Sequence, residues 1–313
     1  MTGDEPRVSV IIPTYNRAPV LRRCLDALAA QTTPAGTMQI IVADDGSTDG
    51  TGETVNAWAA GAGVSVTYFR QENAGANAAR NAAIRMASAP LLLIINDDTI
   101  AVPGLLAAHL ALHEAHPEPG VAVLGRMTID PSLPPSLFAA LHHDASFRQF
   151  EGREELGWEA FFTCNLSVKR DFLLHCGLFD EALRWHEDIE LGERLVPHGL
   201  RLLYCPRALG YHHHFLCEAD YLKIATREGR SLVHWHQRRQ AAGLSDNPIL
   251  RQALHPALRH RLADLALNRW TLGAALAAAR TLSAVRPGAA RVLYARIFQR
   301  LKRQAIAQAR LAR

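Results

Sequence analysis

Three pairs of adjacent acids give the first chemical hint in this chain: Asp44-Asp45, Asp97-Asp98 and Glu187-Asp188. Carboxylates placed side by side repel, and folded proteins tolerate them where a cation or hydrogen-bond donors neutralise the charge. One Asp after a strand is explained as a helix cap, accepting from the free N–H groups of the next helix. Two such pairs at neighbouring strand ends ask for more than capping. Oxygen ligands with few thiols nearby suit Mg²⁺ or Mn²⁺. His212, His213 and His214 follow Tyr211 and add imidazoles to the inventory, and each is also explained as a surface or core histidine. Glu187-Asp188 lies in W-H-E-D-I-E-L, which reads as the acidic first turn of a helix. A base at a helix start is held rigidly, so the structural and the chemical reading agree.

The elements that position these acids follow from periodicity. Arg7–Pro13 is a β-branched apolar run closed by proline, and Met38–Ala43 and Val64–Phe69 are similar. Leu91–Ile95 is a fourth strand that ends at Asn96-Asp97-Asp98. Helical spacing fills the gaps: Val20, Leu21, Cys24, Leu25 and Leu28 in the first, then Thr51–Ala60 and the alanine-rich Ala74–Ala87. Strand and helix alternate from the start, which predicts an α/β fold with a mainly parallel sheet covered by helices. In such sheets ligands sit beyond the carboxyl ends of the strands, where these acids fall. The middle of the chain mixes strand-like pieces (Val121–Arg126, Leu202–Cys205) with helices, and Pro131–Pro135 is a loop. Beyond Cys217 the pattern is helical, with one stripe of Leu250, Leu254, Leu258, Leu262 and Leu265 and another of Leu293, Ile297 and Leu301.

Composition sets the class. The chain has 313 residues, of which 49% are hydrophobic and 20% charged, enough for a core of ordinary size and too apolar for a disordered tail. Five scattered cysteines without a C-x-x-C pair argue against a zinc ribbon or a disulfide framework and for a reducing, cytoplasmic location. The N-terminus has no apolar signal-like run, and the strongest apolar stretch is far too short to span a bilayer. Charge is unevenly spread. From Arg251 onward there are thirteen Lys and Arg against one acid, Asp264, while the chain as a whole carries only +4. The basic end is either a solvated helical face or a dock on the inner face of a membrane, for which Phe298, Leu301 and Ile306 beside Arg296, Arg300, Lys302 and Arg303 would form the interfacial side. No stacking platform accompanies the charge, so nucleic acid is not expected as a partner.

Read in order, these segments resemble the family 2 glycosyltransferases of the GT-A fold. Pro13-Thr14-Tyr15-Asn16-Arg17 is similar to the family's P-x-Y-N opening. Asp44-Asp45-Gly46-Ser47-Thr48-Asp49 is similar to its D-D-G-S-x-D turn, and Asn73 to Asn81 to its N-x-G-x-x-x-A-R-N helix start. Asn96-Asp97-Asp98 stands where the family carries D-x-D. Cys164-Asn165-Leu166-Ser167, Gly177 to Glu181 and Glu187 to Leu191 resemble its acceptor half, and Tyr211 to His214 stands where members place a metal-binding histidine. The sequence departs in two places: Asn96 replaces the first Asp, and Asn268-Arg269-Trp270 lacks the glutamine of the Q-x-x-R-W that accompanies processive synthases.

The resemblance implies a GT-A domain over 1–216, with a nucleotide-sugar half to about residue 100 and an acceptor half after it, and a basic helical region over 217–313. It implies an inverting transferase that uses Mn²⁺ or Mg²⁺ and a nucleotide sugar, UDP-linked, to glycosylate a glycan, lipid-linked or other hydroxyl acceptor in surface glycan assembly. Asp98 and His212 would hold the metal. Asp97 would meet the ribose, Asp45 the uracil N3–H, Pro13, Thr14 and Tyr15 the base, and Arg80 the uracil or diphosphate. Asp188 would be the general base, with Glu187 raising its pKa by like charge or orienting the acceptor, and Trp158 and Trp185 would line the acceptor pocket unless they are core. Other readings are a nucleotidyltransferase, which ordinarily shows a glycine-rich loop after strand one, and a non-catalytic glycan-binding relative. A dehydrogenase is excluded because no G-x-G-x-x-G follows strand one.

Overall fold

A computed structural model describes residues 5–34, 36–244, 247–255, 257–258, 266–268 and 270–312, and for 143–146 the backbone alone. The first strands explain the layering. β1 (Val8–Thr14), β2 (Met38–Asp44), β3 (Ser65–Arg70) and β4 (Leu91–Ile95) run parallel in the order β3-β2-β1-β4. β1 is buried along its whole length, so it reads as continuously apolar rather than alternating. Its side chains still alternate between two cores. Ile11, Ile41, Leu92 and Ile94 face one layer, and Val10, Ile12, Ile40, Val42, Leu91 and Leu93 face the other. Truncating Ile11 or Ile41 to alanine at the centre of this sheet would cost roughly 2–5 kcal/mol.

Helices cover both faces. α1 (Ala18–Ala29) and α2 (Thr51–Ala59) bury Leu21, Leu25, Leu28, Val55 and Trp58 in the second core. α3 (Ala76–Met86) buries Ala79, Ala83 and Ile84 in the first, and α4 (Leu105–Ala115) buries Leu105, Leu106 and Leu110 in the second. Short strand β5 (Thr99–Ala101) was not legible in the sequence, because three residues are too few for any period. β6 (Val121–Ile129), β7 (Glu155–Leu156), β8 (Asn165–Lys169) and β9 (Arg201–His212) complete the sheet. β8 inserts antiparallel between β4 and β6, so its start at Asn165 lies beside the end of β4 at Ile95. Helices α5 (Arg170–Cys176) and α6 (Glu187–Leu195) pack Phe172, Leu173, Leu191 and Leu195 on the first core. The expected mixed, mainly parallel α/β sheet is thus present, with the C-terminal helices beyond it.

The chain divides into two compact units. One is built from the described residues of Met1–Pro134 and His143–Phe215 and holds the whole sheet. The other comprises Pro135–His142 and Leu216–Arg313. In it run α7 (Glu218–Ala241), α8 (Pro248–Leu254), α9 (Leu272–Val285) and α10 (Pro287–Leu311). The segment 135–142, read from sequence as part of the acceptor half, belongs to this second unit. Phe138 packs edge-on against Tyr294 at 4.9 Å between centroids and against Tyr221 at 5.5 Å. α7 and α10 approach so closely at Gly229 that an added Cβ would fall 2.4 Å from the Lys302 carbonyl oxygen.

This packing corrects the interfacial reading of α10. Phe298 and Ile306 are buried within the unit, and Phe298 stacks on Tyr221 at 4.7 Å. Helical periodicity marks an apolar face but does not say whether lipid or protein covers it. Of the leucine stripe, Leu250 and Leu254 are buried and Leu258 is exposed, whereas Leu262 and Leu265 lie outside the described residues. Among the described residues no helix is long and apolar enough to cross a membrane, and none of the five cysteines is paired.

Candidate active site

The strand order β2-β1-β4 sets Asp44-Asp45 and Asp97-Asp98 on either side of the loop that leaves β1. Asn16 takes a left-handed φ of 53° in that loop. Its N–H donates to Ser47 Oγ at 2.8 Å, and its side-chain oxygen accepts from the Thr48 N–H at 2.7 Å. Two turns that are distant in sequence are therefore sewn together at the sheet edge.

Register delivers the histidine. β5 pairs antiparallel with β9, Thr99 opposite His212, and the His213 N–H donates to the Asp98 carbonyl at 2.8 Å. His212 Nε2 consequently lies 3.1 Å from Asp98 Oδ1. His213 instead binds Asp130 through Nδ1 at 2.6 Å. His212 thus faces Asp98 and His213 faces Asp130.

Asp97 and Asp98 are both buried. Thr14 Oγ1 donates to Asp97 Oδ2 at 2.8 Å. Arg17, at the start of α1, spans the pair, with Nη1 at 3.0 Å from Asp97 Oδ1 and Nη2 at 2.7 Å from Asp98 Oδ2. Burial opposes the charge on Asp98, yet His212 and Arg17 outweigh it and hold the carboxyl well below the usual range. Burial pushes Asp97 up to about 6, with Arg17 opposing and Asp98 adding to the rise. Sequence reasoning quoted Arg17 only as the end of a motif. A guanidinium one helix-cap away from two acids was the available signal.

These residues fit a divalent ion that shares its shell with a ligand. Asp98 Oδ1 is a buried oxygen with no aligned hydrogen-bond donor, and it faces the His212 imidazole. Among the described residues no three His, Cys, Asp or Glu side chains form a ready metal cage. A hard cation held by one or two protein groups and completed by phosphate oxygens and water needs no such cage.

The second cluster is reached through α3. Gly75, at φ 97°, opens the helix, and a Cβ there would collide with the Arg184 guanidinium. Asp45 is already engaged by the protein. Its oxygens accept from Gln71 Nε2, the Ala74 N–H and the Gly75 N–H at 2.8, 2.9 and 2.8 Å, and the residue is 4% exposed. The carboxylate thus receives the main-chain donors that start α3 and keeps further acceptor capacity. Asp44 is likewise engaged, by the Ser47 N–H and the Tyr68 hydroxyl.

The polar face of α3 turns inward. Asn77 donates to the carbonyls of Asp180 and Leu183, and Asn81 to that of Phe179 and to Glu181. These bonds fix the loop that leads into α6. Arg80 between them donates through Nη1 to Glu187 Oε1 at 3.0 Å and to Asn77 at 2.9 Å, and Nη2 lies 3.5 Å from Asn96 Oδ1. Arg80 therefore links the N-D-D segment to the start of α6, and its Nε has no hydrogen-bond partner among the described residues. Glu187 gives Oε1 to this pair. Unpaired, either charge would be costly at this depth.

Asp188 is the second residue of α6, which begins after His186, whose left-handed φ of 61° is unusual for a residue with a Cβ. Burial, and next the charge of Glu187, push the Asp188 carboxyl up to about 7, with the Ile189 N–H and Arg80 opposing. Sequence reasoning credited Glu187; burial is the larger cause. Burial followed by the charge of Asp188 raises the Cys164 thiol to about 12, and Asp98 contributes in the same direction.

The remaining predicted residues divide. Pro13 is buried opposite Ala43 in the sheet, and Tyr15 projects at the strand end with 48% exposure. Trp158 and Trp185 are half-buried. The C-N-L-S segment is architectural. Asn165 Nδ2 donates to the Ala208 carbonyl at 2.8 Å, at the β6–β9 irregularity, where the ladder leaves a carbonyl unpaired. Its oxygen and the Ser167 hydroxyl take buried His109, and Ser167 also takes His113.

Comparison with known proteins agrees with this layout. The sequence model described as Glycosyl transferase family 2 matches residues 9–167, half of the chain, so the protein belongs to that family. A validoxylamine A glucosyltransferase of Streptomyces hygroscopicus subsp. jinggangensis is 36% identical over 64% of this chain and 53% of its own length. Glycosyltransferase AglE of Haloferax volcanii is 28% identical over 68% of each chain. The chain spans about half the length of the validoxylamine A glucosyltransferases it matches. Among solved structures, the mannosyltransferase PcManGT of Pyrobaculum calidifontis, in complex with GDP-Man and Mn²⁺, is similar with a TM-score of 0.65 at 22% identity, over 98% of this chain and 87% of that one. TarS 1-349 of S. aureus, in complex with UDP-GlcNAc, is similar with a TM-score of 0.56 at 17% identity, over 98% and 92%. At these identities the two structures speak for the fold.

Proposed function

We propose that this family 2 chain is an inverting, metal-dependent glycosyltransferase that moves a sugar from a nucleotide-sugar donor, UDP-linked, to a hydroxyl acceptor. One observation carries the reading. A carboxylate faces an imidazole, Asp98 with His212 at 3.1 Å, and Arg80 links that segment to the first turn of α6, where a second carboxylate, Asp188, is shifted upward. Glycosyl transfer from a diphosphate needs both: charge to meet the leaving group and a base for the acceptor.

Asp98 and His212 would hold Mn²⁺ or Mg²⁺, which when bound offsets the charge gained by the departing diphosphate. Asp97, kept in place by Thr14, would accept from the ribose hydroxyls, and the exposed Tyr15 ring would border the base. Asp188 would take the proton of the acceptor hydroxyl as its oxygen attacks the anomeric carbon from the face opposite the diphosphate. The C1–O bond to phosphate breaks as the new bond forms, and the configuration inverts. The GDP-Man and UDP-GlcNAc bound by the two similar structures support a nucleotide-diphosphate sugar as donor class.

The acceptor is read as a hydroxyl of a glycan or lipid-linked sugar in surface glycan assembly. Exposed Arg286, Arg291 and Arg296 support an electrostatic contact with an anionic membrane surface, without the insertion that buried Phe298 and Ile306 would have provided. The test is nucleoside diphosphate release with Mn²⁺ over a panel of UDP- and GDP-sugars, followed by NMR of the product anomer. Release from a UDP-sugar with inversion is expected. Retention of configuration, or full activity in chelator, would overturn the mechanism.

A further inference from the structure

We propose that Arg17 is a built-in stand-in for the divalent cation: without metal its guanidinium clamps Asp97 and Asp98, and on binding of the cation with its diphosphate it leaves the carboxylates for the phosphate oxygens. The inference rests on the metal-dependent reading above and adds a residue and a coupling to it.

The geometry is that of a plug. Arg17 Nη1 and Nη2 take one oxygen from each acid, at 3.0 and 2.7 Å, in the fork arrangement that guanidinium alone offers. Asp98 thereby spends Oδ2 on Arg17 and presents Oδ1 to His212. A dication entering here meets a fixed positive group and an occupied ligand, so the two compete for the same oxygens. The acid side chains are 6% and 4% exposed, a depth at which two neighbouring carboxylates without a counter-ion would be strongly unfavourable. Arg17 supplies that counter-ion while no metal is present.

The arm is free to move although its root is fixed. The Arg17 side chain is 35% exposed, so it has a path into solvent. Its backbone is pinned on both sides. Asn16 is tied to Ser47 and Thr48, the Ala18 N–H donates to Asp49 at 3.0 Å, and the Arg17 carbonyl accepts from Val20 and Leu21. Only side-chain torsions need change. Once displaced, the guanidinium stays next to the cation's anionic ligands, where a diphosphate gives it a new planar partner. Metal alone must expel Arg17 into water, whereas metal with diphosphate re-houses it. Cation and nucleotide therefore bind with positive coupling, and the coupling is reciprocal.

Calorimetric titration of Mn²⁺ into the full chain, with and without UDP, tests this on wild type, Arg17→Gln and Arg17→Lys. For wild type, UDP is expected to tighten Mn²⁺. Arg17→Gln should bind Mn²⁺ alone roughly tenfold more tightly than wild type, because a charge-assisted pair no longer competes. UDP should then add less, so the coupling factor falls. Arg17→Lys keeps the charge but reaches one acid, and should lie between. Melting temperature gives a second readout: Arg17→Gln should melt lower than wild type in chelator and gain more from Mn²⁺. Unchanged or weaker Mn²⁺ binding in both variants would make Arg17 a permanent tie and overturn the proposal. If Asp98→Asn binds Mn²⁺ with UDP as well as wild type does, the metal reading itself fails and the plug with it.

Discussion

Asp98 follows strand β4 and Asp188 lies in the first turn of α6, two segments joined through Arg80, and their surroundings drive them apart. Asp98 is buried, yet an imidazole and a guanidinium lie within hydrogen-bonding distance, so it stays charged in spite of desolvation. Asp188 is half-buried beside another acid, Glu187, which takes the Arg80 guanidinium. Its charge is poorly compensated, and its carboxyl rises to about 7. Identical side chains are thus suited to the opposite work proposed for them, one to hold positive charge and one to accept a proton. The neighbours decide, and Arg80 is the neighbour shared by both regions, since it also reaches toward Asn96.

The contrast breaks most sharply at the base. Asp188→Asn should lower transfer by about 10²- to 10⁴-fold while UDP affinity, measured by titration, stays near wild type. Transfer at the wild-type rate would remove Asp188 from the mechanism. Next in size is Arg80→Gln. Breaking this buried pair should cost about 3–5 kcal/mol in denaturant unfolding. In the surviving folded protein the Asp188 carboxyl should rise further, so the pH–rate profile moves to higher pH, whereas Glu187→Gln should move it lower. Shifts in the same direction would contradict the electrostatic account.

In wild type, kcat/KM should climb about tenfold per unit below pH 7 and level off above it, because only the carboxylate form of Asp188 accepts a proton. Stability should show the opposite slope. A carboxyl whose folded pKa is raised binds its proton more tightly when folded, so its contribution is full below the unfolded value near 4 and is lost as pH rises through about 7. Asp188→Asn should therefore flatten the fall in melting temperature between pH 5 and pH 8. The smallest effect is expected at Tyr15. Tyr15→Ala removes a ring that is 48% exposed, and should raise the donor KM by a factor of about 5, at the low end of base-stacking energies, without changing the pH profile.

Much of this layout was legible in the chain. The apolar runs of β1, β2 and β4 announce their strands, and the acids at their ends announce an edge where ligands bind. Asp97, Asp98 and His212 come together as the motifs imply. Asp45, Arg80 and Glu187 are ligand groups by type, and the fold also engages them with main-chain donors and with each other. Residue type reports what a group can bind, and nothing in a linear sequence reports what it already binds. The same limit affected α10, whose apolar stripe is covered by protein.

The chain by itself determined the alternation of strand and helix, the parity that splits the sheet into two cores, and the kinds of atom gathered at its edge. These are local properties, set by backbone periodicity and side-chain chemistry over a few residues. Tertiary structure alone decided which histidine of three meets Asp98, that Arg17 spans both acids, and that burial rather than Glu187 does most to raise Asp188. Those outcomes depend on strand register and on the dielectric around each group. Both are sums over residues far apart in sequence, and they exist only once the chain has closed on itself.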